Sequence, residues 1–286
     1  MKLSARDRII TFPRRPLIMG IVNINHDSFS DDGTLNIDEA IARAQTQVAA
    51  GADIIDVGGE SARTNRAPIT EREETARTLP FVERFSECFS GVQAIDQEQV
   101  YPPLLSVNTW RPTVAETLLA AGADLLNDMS ALPSDETAVA AAKHGAGLVI
   151  MHSVGLPKQK NTDKYYADIF QTLETFFTKK ISQAQAAGVP RQAIVLDPGI
   201  DFAKQKSDNL RIYRNLDRLH RFERPILLPV SRKTVIGEVL GLPDPNDRDA
   251  GTVACIVAGM RRAANIFRVH NVHAASQVVR TMWALR

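Results

Sequence analysis

The chain alternates between short apolar runs and longer segments in which apolar residues recur at helical spacing. Eight apolar runs, each typical of a buried β-strand, lie at residues 17–22, 54–59, 104–107, 125–126, 147–151, 193–196, 226–230 and 265–269. A predicted helix follows each run, at residues 36–51, from 70 onward, and at 111–121, 136–144, 167–187, 207–219, 250–262 and 272–285. Asn36 and Thr70 occupy expected N-cap positions, and Glu73 completes a capping box with Thr70.

Strands that alternate with helices predict a parallel sheet, because a parallel neighbour is reached through a crossover connection. Eight such pairs in 286 residues favour an α/β fold of the (β/α)8 TIM-barrel type. A doubly wound open sheet is the alternative topology. Because no shift in composition marks a boundary, we predict that residues 1–286 form one domain.

Composition narrows the class of protein. Apolar residues make up 44% of the chain, charged residues 23%, and the net charge is +1, which is ordinary for a globular protein. We therefore expect neither a nucleic-acid nor a membrane partner. No apolar stretch has the length of a transmembrane helix, and residues 1–10 lack the pattern of a signal peptide. Cys88 and Cys255 lack metal-ligand spacing, so we expect reduced thiols in a cytoplasmic protein.

Polar side chains end most of the predicted strands. They are Asn23, Asp56, Asn108, Asn127, Asp128, His152, Asp197, Lys233, Arg268 and His270. Any one of the Asp or Asn residues is more often a turn former, but in a barrel all of these tips converge on one mouth. Carboxylate and amide groups suit the N–H and C=O edge of a planar heterocycle, and Arg and His suit an anion.

The chain lacks a Ser-His-Asp arrangement, a Walker loop and zinc-type spacing. Covalent catalysis is therefore not the first expectation. The strand tips predict a site that binds and polarises its substrates, as in transfer from a diphosphate leaving group.

Several motifs resemble those of the dihydropteroate synthase family, in the same order along nearly the whole chain from residue 17. The family pattern NVTPDSFSDGG is matched by NINHDSFSDDG at residues 23–33, and DIGGESTRPG by DVGGESARTN at residues 56–65. Further matches are Asn127-Asp128, Met151-His152, DPGIDF at residues 197–202, Ser231-Arg232-Lys233 and Arg268-Val269-His270.

The resemblance implies a transferase of folate biosynthesis and a sulfonamide target. Such an enzyme joins (7,8-dihydropterin-6-yl)methyl diphosphate to 4-aminobenzoate and releases diphosphate. Early cleavage of the C–O bond leaves a pterin methyl cation, which the arylamine attacks. The resemblance also implies a Mg²⁺ cofactor and a homodimer, for which the last two helices would provide a suitable interface.

The resemblance assigns roles residue by residue. Lys233, Asn108 and Asp197 would be catalytic, and with Asn127 and Met151 they would bind the pterin. Asn23, Arg63, Arg268 and His270 would hold the diphosphate, with Asn23 also coordinating Mg²⁺. Ala62, Thr64, Phe202, Arg232 and Thr234 would form the aminobenzoate side.

Departures from the family pattern cluster on the loops. Asn108 replaces an Asp, and an amide cannot offer a cation the charge that a carboxylate offers. The other departures are Asn25, His26, Ala62, Thr64, Asp201, Pro229 and Asn271. A pterin-binding paralogue with weak or no synthase activity is therefore an alternative. A third reading, methyl transfer from a folate by a related barrel, is disfavoured because that reaction needs no diphosphate clamp.

Overall fold

The computed structural model describes residues 1–25, 33–61, 67–155, 157–159, 161 and 164–286. The strands are β1 (Lys2–Ala5), β2 (Arg8–Thr11), β3 (Leu17–Asn23), β4 (Ile54–Gly58), β5 (Leu104–Asn108), β6 (Leu125–Asp128), β7 (Gly147–Met151), β8 (Ile194–Asp197), β9 (Leu227–Pro229) and β10 (Ile266–Val269). The α-helices are α1 (Ile37–Ala49), α2 (Glu71–Arg84), α3 (Pro112–Ala120), α4 (Glu136–Lys143), α5 (Ile169–Ala186), α6 (Lys206–Arg214), α7 (Thr234–Leu240), α8 (Asp249–Arg261) and α9 (Val272–Ala284).

Strands β3 to β10 form one parallel sheet in the order β8-β7-β6-β5-β4-β3-β10-β9. The two ends of this sheet meet through a parallel bridge between Leu196 and Ile226, so the sheet closes. Helices follow the strands around the outside. The (β/α)8 prediction is confirmed, and the open-sheet alternative is wrong.

The interior of the barrel alternates with its exterior at successive strand positions. In β3, Leu17 and Met19 belong to an inner apolar cluster, whereas Ile18 and Val22 belong to the cluster shared with the helices. This alternation is the pleat of a strand whose two faces are both buried. Toward the carboxyl ends the inward positions become polar, as at Asn23 on β3 and Asn108 on β5.

An N-terminal hairpin closes the other end of the barrel, and the hydrophobic pattern did not predict it. Strands β1 and β2 pair antiparallel, and Leu3, Ile10 and Phe12 join the inner apolar cluster. The Arg6 backbone N–H donates to Gly145 O at 2.7 Å, just before β7 begins. The hairpin therefore lies against the amino-terminal ends of the strands.

Two further elements differ from the predicted pattern. Helix α7 follows β9 directly and was absent from the prediction, because its seven residues are too few for a clear period. The helix predicted at residues 207–219 is divided into α6 and a 3₁₀ helix at Leu216–Phe222. Within the described residues, no helix is long and apolar enough to cross a membrane.

Candidate functional site: the mouth of the barrel

A cavity of about 510 Å³ opens at the carboxyl ends of the barrel strands. This volume lies within the usual range for small-molecule sites. Predicted site residues that line it are Asn23, Asn108, Asn127, Met151, Asp197, Phe202, Lys233, Thr234, Arg268 and His270. The structure thus brings together residues from six strands and from the loops that follow β8 and β9.

A polar layer centred on Asp56 forms the floor beneath these residues. Asp56 is fully buried, and its Oδ2 accepts from Arg268 Nε at 2.7 Å and from Asn127 Nδ2 at 3.2 Å. Its Oδ1 accepts from Ser106 Oγ at 2.5 Å. These contacts hold the amide of Asn127 and the guanidinium of Arg268 in set orientations, because a buried carboxylate keeps its donors in place. The sequence identifies Asp56 as a strand tip but assigns it no individual role.

Asp197, at the end of β8, is buried with only 3% of its surface exposed. Its Oδ1 accepts from the Gly199 backbone N–H at 2.7 Å. Burial raises the pKa of this carboxyl to about 6, and the nearby charges of Lys233, Lys204 and Arg268 oppose that rise. Above that pH the carboxylate is ionised and can accept two hydrogen bonds from a guanidine-like edge of a ring.

Lys233 follows β9 and faces the loop after Asp197. Its Nζ donates to Ile200 O at 3.0 Å and lies 5.0 Å from the centroid of the Phe202 ring. Burial lowers the pKa of Lys233, while the Asp201 and Asp197 carboxylates oppose that effect. The pair of Lys233 and Phe202 combines a cation with an aromatic face at one wall of the cavity.

Two predicted pterin residues, Asn108 and Met151, lie at the cavity wall. Asn108 is 6% exposed; its Nδ2 contacts Met129 Sδ at 3.5 Å, and its Oδ1 is a buried acceptor that has no hydrogen-bond partner among the described residues. An unpaired buried acceptor costs free energy, so it indicates a ligand donor. Met151 is almost fully buried and contributes an apolar surface for a ring.

The predicted diphosphate residues are partly described. Asn23, Arg268 and His270 line one side of the cavity, and Arg63 lies outside the described residues. His270 is oriented by Ser231, whose Oγ lies 2.8 Å from His270 Nδ1 and accepts from the His270 backbone N–H at 3.1 Å. An arginine and a histidine on one wall provide donors for phosphate oxygens.

The predicted aminobenzoate residues divide into three groups. Phe202 and Thr234 line the cavity, while Ala62 and Thr64 lie outside the described residues. The structure does not bring the Arg232 guanidinium into the lining. Its Nε donates to Asp249 Oδ1 at 2.8 Å and its Nη1 to Asn246 Oδ1 at 2.8 Å.

Asp201, one of the departures, has a defined role in the loop. It adopts a left-handed backbone with φ +69°, a region that favours glycine. Its carboxylate accepts from the Thr234 N–H at 2.5 Å and the Val235 N–H at 3.2 Å, and so caps α7. The carboxylate also accepts from Asn209 Nδ2 at 3.2 Å, and the Asp201 backbone N–H donates to Asn209 Oδ1 at 2.9 Å. Asp201 also lines the cavity.

Sequence reasoning missed two lysines of the site. Lys204 is buried in the loop after β8. It follows the DPGIDF motif, and nothing in the sequence apart from its charge distinguishes it from a surface lysine. Lys158 lies in the loop after β7, where its Nζ donates to Glu60 Oε1 at 2.8 Å and both side chains are nearly buried. The pair joins the loop after β7 to the loop after β4 across the mouth, a contact that sequence spacing does not reveal.

The fold and the cavity define the class of protein: a TIM barrel whose mouth is lined by groups suited to a planar polar ring beside an anion. The family model described as pterin binding enzyme matches residues 19–270. The chain therefore belongs to the pterin-binding enzyme family.

Full-length relatives are consistent with this assignment. The chain is 38% identical to the dihydropteroate synthase of Synechocystis over 285 residues, which cover 99% of this chain and 94% of that relative. The Yersinia pestis dihydropteroate synthase, solved with a sulfonamide drug complex, has a TM-score of 0.88 and 37% identity, covering 100% of this chain and 99% of that one. The Xanthomonas albilineans dihydropteroate synthase, solved with 4-aminobenzoic acid, has a TM-score of 0.86 and 33% identity, covering 100% and 98%.

Proposed function

We propose that this protein is a dihydropteroate synthase, which joins (7,8-dihydropterin-6-yl)methyl diphosphate to 4-aminobenzoate and releases diphosphate. The observation that carries the proposal is one cavity containing the Asp197 carboxylate, the Asn108 acceptor and the Arg268 cation. Relatives named dihydropteroate synthase that match over almost the whole chain support the same activity.

The residues divide the work between ring and leaving group. Asp197 and Asn127 hold the N–H and C=O edge of the pterin, with Asn108 Oδ1 accepting a further hydrogen bond. Arg268 and His270 hold the diphosphate, so that negative charge developing on the leaving oxygen meets fixed donors. The C–O bond to the diphosphate breaks first and leaves a pterin methyl cation. The amine nitrogen then attacks the methyl carbon, and the resulting ammonium loses a proton to solvent.

Lys233 and Phe202 shape the second substrate's side in this proposal. The ring of Phe202 offers a stacking face, and the Lys233 ammonium can attract the carboxylate of 4-aminobenzoate or a pterin carbonyl oxygen. Neither group is a nucleophile in the proposed reaction, which agrees with the missing nucleophile–base pair in the sequence.

The chemistry of the donor set at Asn23 fits a Mg²⁺ that is bound jointly with the substrate. Among the described residues, no three His, Cys, Asp or Glu side chains cluster as a metal site. Mg²⁺ often takes only one or two protein oxygens and completes its shell with phosphates and water. Asn23 at the cavity wall can supply such an oxygen, and the ion would neutralise charge on the diphosphate.

We infer that the protein is a cytoplasmic homodimer. Cys88 and Cys255 are free thiols, consistent with a reducing compartment. The outward face of α8 carries Val253, Ala254 and Val257, which are partly or fully exposed and suit a second copy of the chain. A Val257→Glu variant should lower the mass measured by light scattering from dimer to monomer, and an unchanged mass would contradict this interface.

The decisive experiment is diphosphate release from the pterin diphosphate with Mg²⁺, with and without 4-aminobenzoate. We expect release that depends on 4-aminobenzoate and forms an equal amount of dihydropteroate. Binding of the pterin diphosphate with no turnover would favour the paralogue alternative instead. The control omits the pterin substrate and keeps the arylamine.

A further inference from the structure

The ammonium group of Lys204 lies at the centre of the loop that follows β8. Its Nζ donates to Gly199 O at 2.9 Å and to Phe202 O at 3.0 Å, and it lies 2.9 Å from His152 Nδ1. His152 O is a fourth acceptor at 3.3 Å, so the three N–H donors of the ammonium are all directed at protein acceptors. The side chain is 8% exposed, so these contacts form in a largely dry environment.

This loop has little freedom beside Lys204. Gly199 has φ +67°, and a Cβ there would collide with the His152 carbonyl oxygen. The Gly199 N–H donates to the Asp197 carboxylate, while the carbonyl of the same residue accepts from Lys204. Lys204 therefore acts on Asp197 through one glycine, whose backbone is packed against the end of β7.

The opposite side of the loop faces Lys233. Ile200 O accepts from Lys233 Nζ, and the Phe202 ring lies against the same ammonium. The buried Lys204 and the partly buried Lys233 thus hold one loop, and the charges of both act on Asp197. The Lys233 side opens to the cavity and to substrate, whereas Lys204 uses its donors on the protein itself.

The charges around Lys204 come from every element packed against it. The Asp197, Asp208 and Asp201 carboxylates favour its charged form, Lys233 opposes it, and burial lowers its pKa to about 7. His152, on the β7 side, has a pKa lowered to about 2 by burial and by Lys204, so its ring is neutral and Nδ1 can accept. Conversely, Lys204 is one of the cations that oppose the rise in the pKa of Asp197.

We propose that Lys204 is a positioning residue of the pterin site: it ties the Gly199 and Phe202 carbonyls of the loop after Asp197 to His152 at the end of β7, and it supplies a positive charge near the Asp197 carboxylate. The proposal rests on the pterin-binding role of Asp197 given above. It does not depend on catalytic turnover, because both effects act on ring binding.

The test measures the dissociation constant of 6-hydroxymethylpterin between pH 5 and 8 for the full chain. In the wild type, affinity should fall as Asp197 is protonated below about pH 6. Lys204→Met removes both charge and donors. We therefore expect the pH below which pterin affinity falls, here called the acid midpoint, to rise by about one pH unit, and the affinity at pH 7 to fall about tenfold. Lys204→Arg keeps the charge but does not fit the converging acceptors, so its acid midpoint should stay in place while its affinity falls.

The matched control is Lys180→Met on α5. Lys180 also donates to a loop carbonyl, Leu132 O, at 2.5 Å, but it lies outside the pterin cavity. This variant should leave both the acid midpoint and the pterin affinity unchanged. The proposal would be overturned if the acid midpoint stayed in place in Lys204→Met, or if it moved in Lys204→Arg. The result for Lys204→Arg still tests the proposal if Lys204→Met does not fold.

Pterin binding separates this proposal from the proposed function. A wild type that binds the pterin but releases no diphosphate would contradict synthase activity and leave the Lys204 test intact. A wild type that binds no pterin would overturn the pterin site itself.

Discussion

The two ends of the barrel are built by the same strands, yet they follow opposite rules. At the amino end, Leu17, Ile54 and Leu104 meet the hairpin residue Leu3 in an apolar cluster. At the carboxyl end, a few residues further along the same strands, the inward positions carry amides, carboxylates and cations. Period-two alternation makes this possible, because one strand can bury apolar groups at one end and present polar groups at the other.

The two ends of the barrel also differ in how their buried polar groups are hydrogen-bonded. The amino end contains a buried carboxylate, Asp53, whose two oxygens accept the backbone N–H groups of Ile18 and Val100 at 2.8 Å each. At the carboxyl end, no residue in the described part of the chain donates to Asn108 Oδ1. Complete pairing stabilises a fold, while an unpaired acceptor is held for a ligand. We therefore expect mutations at the amino end to alter stability and mutations at the mouth to alter binding.

The largest expected effect is on the amino end. Leu3→Ala should lower the free energy of unfolding by about 3 kcal/mol, since it removes a fully buried side chain and leaves a cavity. Urea denaturation measures this loss. Ile9→Ala is the control, because Ile9 on the neighbouring strand is 58% exposed and its loss should cost about 0.5 kcal/mol or less. Pterin affinity of the folded fraction should be unchanged in both variants; a tenfold loss in Leu3→Ala would contradict the division.

At the mouth, Arg268→Ala should weaken binding of the pterin diphosphate about 100-fold, because it removes a charged hydrogen-bond donor to phosphate. Binding of the pterin without diphosphate should fall much less. Isothermal titration of both ligands against the same preparation provides an internal control for any loosening around Asp56. If affinity for the two ligands falls equally, Arg268 does not bind the diphosphate.

The next effect is on the pH dependence of stability at His152, which is buried beside Lys204 and does not line the cavity. The pKa of His152 is lowered to about 2 in the fold, while an unfolded histidine titrates near 6.5. Stability from this group is therefore present above about pH 6.5 and is lost as the pH falls, by about 2 kcal/mol at pH 5. His152→Gln keeps an acceptor for Lys204 but removes the titrating ring. Between about pH 7.5 and 5, its free energy of unfolding should therefore fall by about 2 kcal/mol less than that of the wild type. If the two free energies fall in parallel, the pKa of His152 is not lowered in the fold.

The smallest expected effect tests the amide at Asn108. Asn108→Asp should raise turnover by up to about tenfold, because a carboxylate at this wall stabilises a pterin cation better than an amide does. Steady-state diphosphate release measures it, with Asn108→Ala as the control for loss of the acceptor alone. If the rate is unchanged or lower, missing charge at this position does not limit the reaction.

The sequence predicted the barrel because its strands are buried on both faces and therefore appear as apolar runs. It did not predict the hairpin, because residues 1–11 mix charged and apolar side chains and only the pairing of β1 with β2 reveals one buried face. Strand-tip residues were predictable, since a parallel barrel brings all tips to one mouth. The contacts of Lys204 and Lys158 were not, because they depend on the path of loops rather than on any periodicity.

The closure of the barrel has a consequence for its motions. Strands β8 and β9 meet through an isolated bridge from Leu196 to Ile226 with a hydrogen bond from the Leu196 N–H to Pro225 O, and β9 ends at Pro229, which has no N–H to donate. Asp197 lies on one side of this seam and Lys233 on the other. A bound ring that contacts both Asp197 and Lys233 would connect β8 to the segment after β9, in addition to the bridge between the two strands. Amide hydrogens beside the seam should then exchange with solvent more slowly once the ring is bound, while those of β3 and β4 keep their rates.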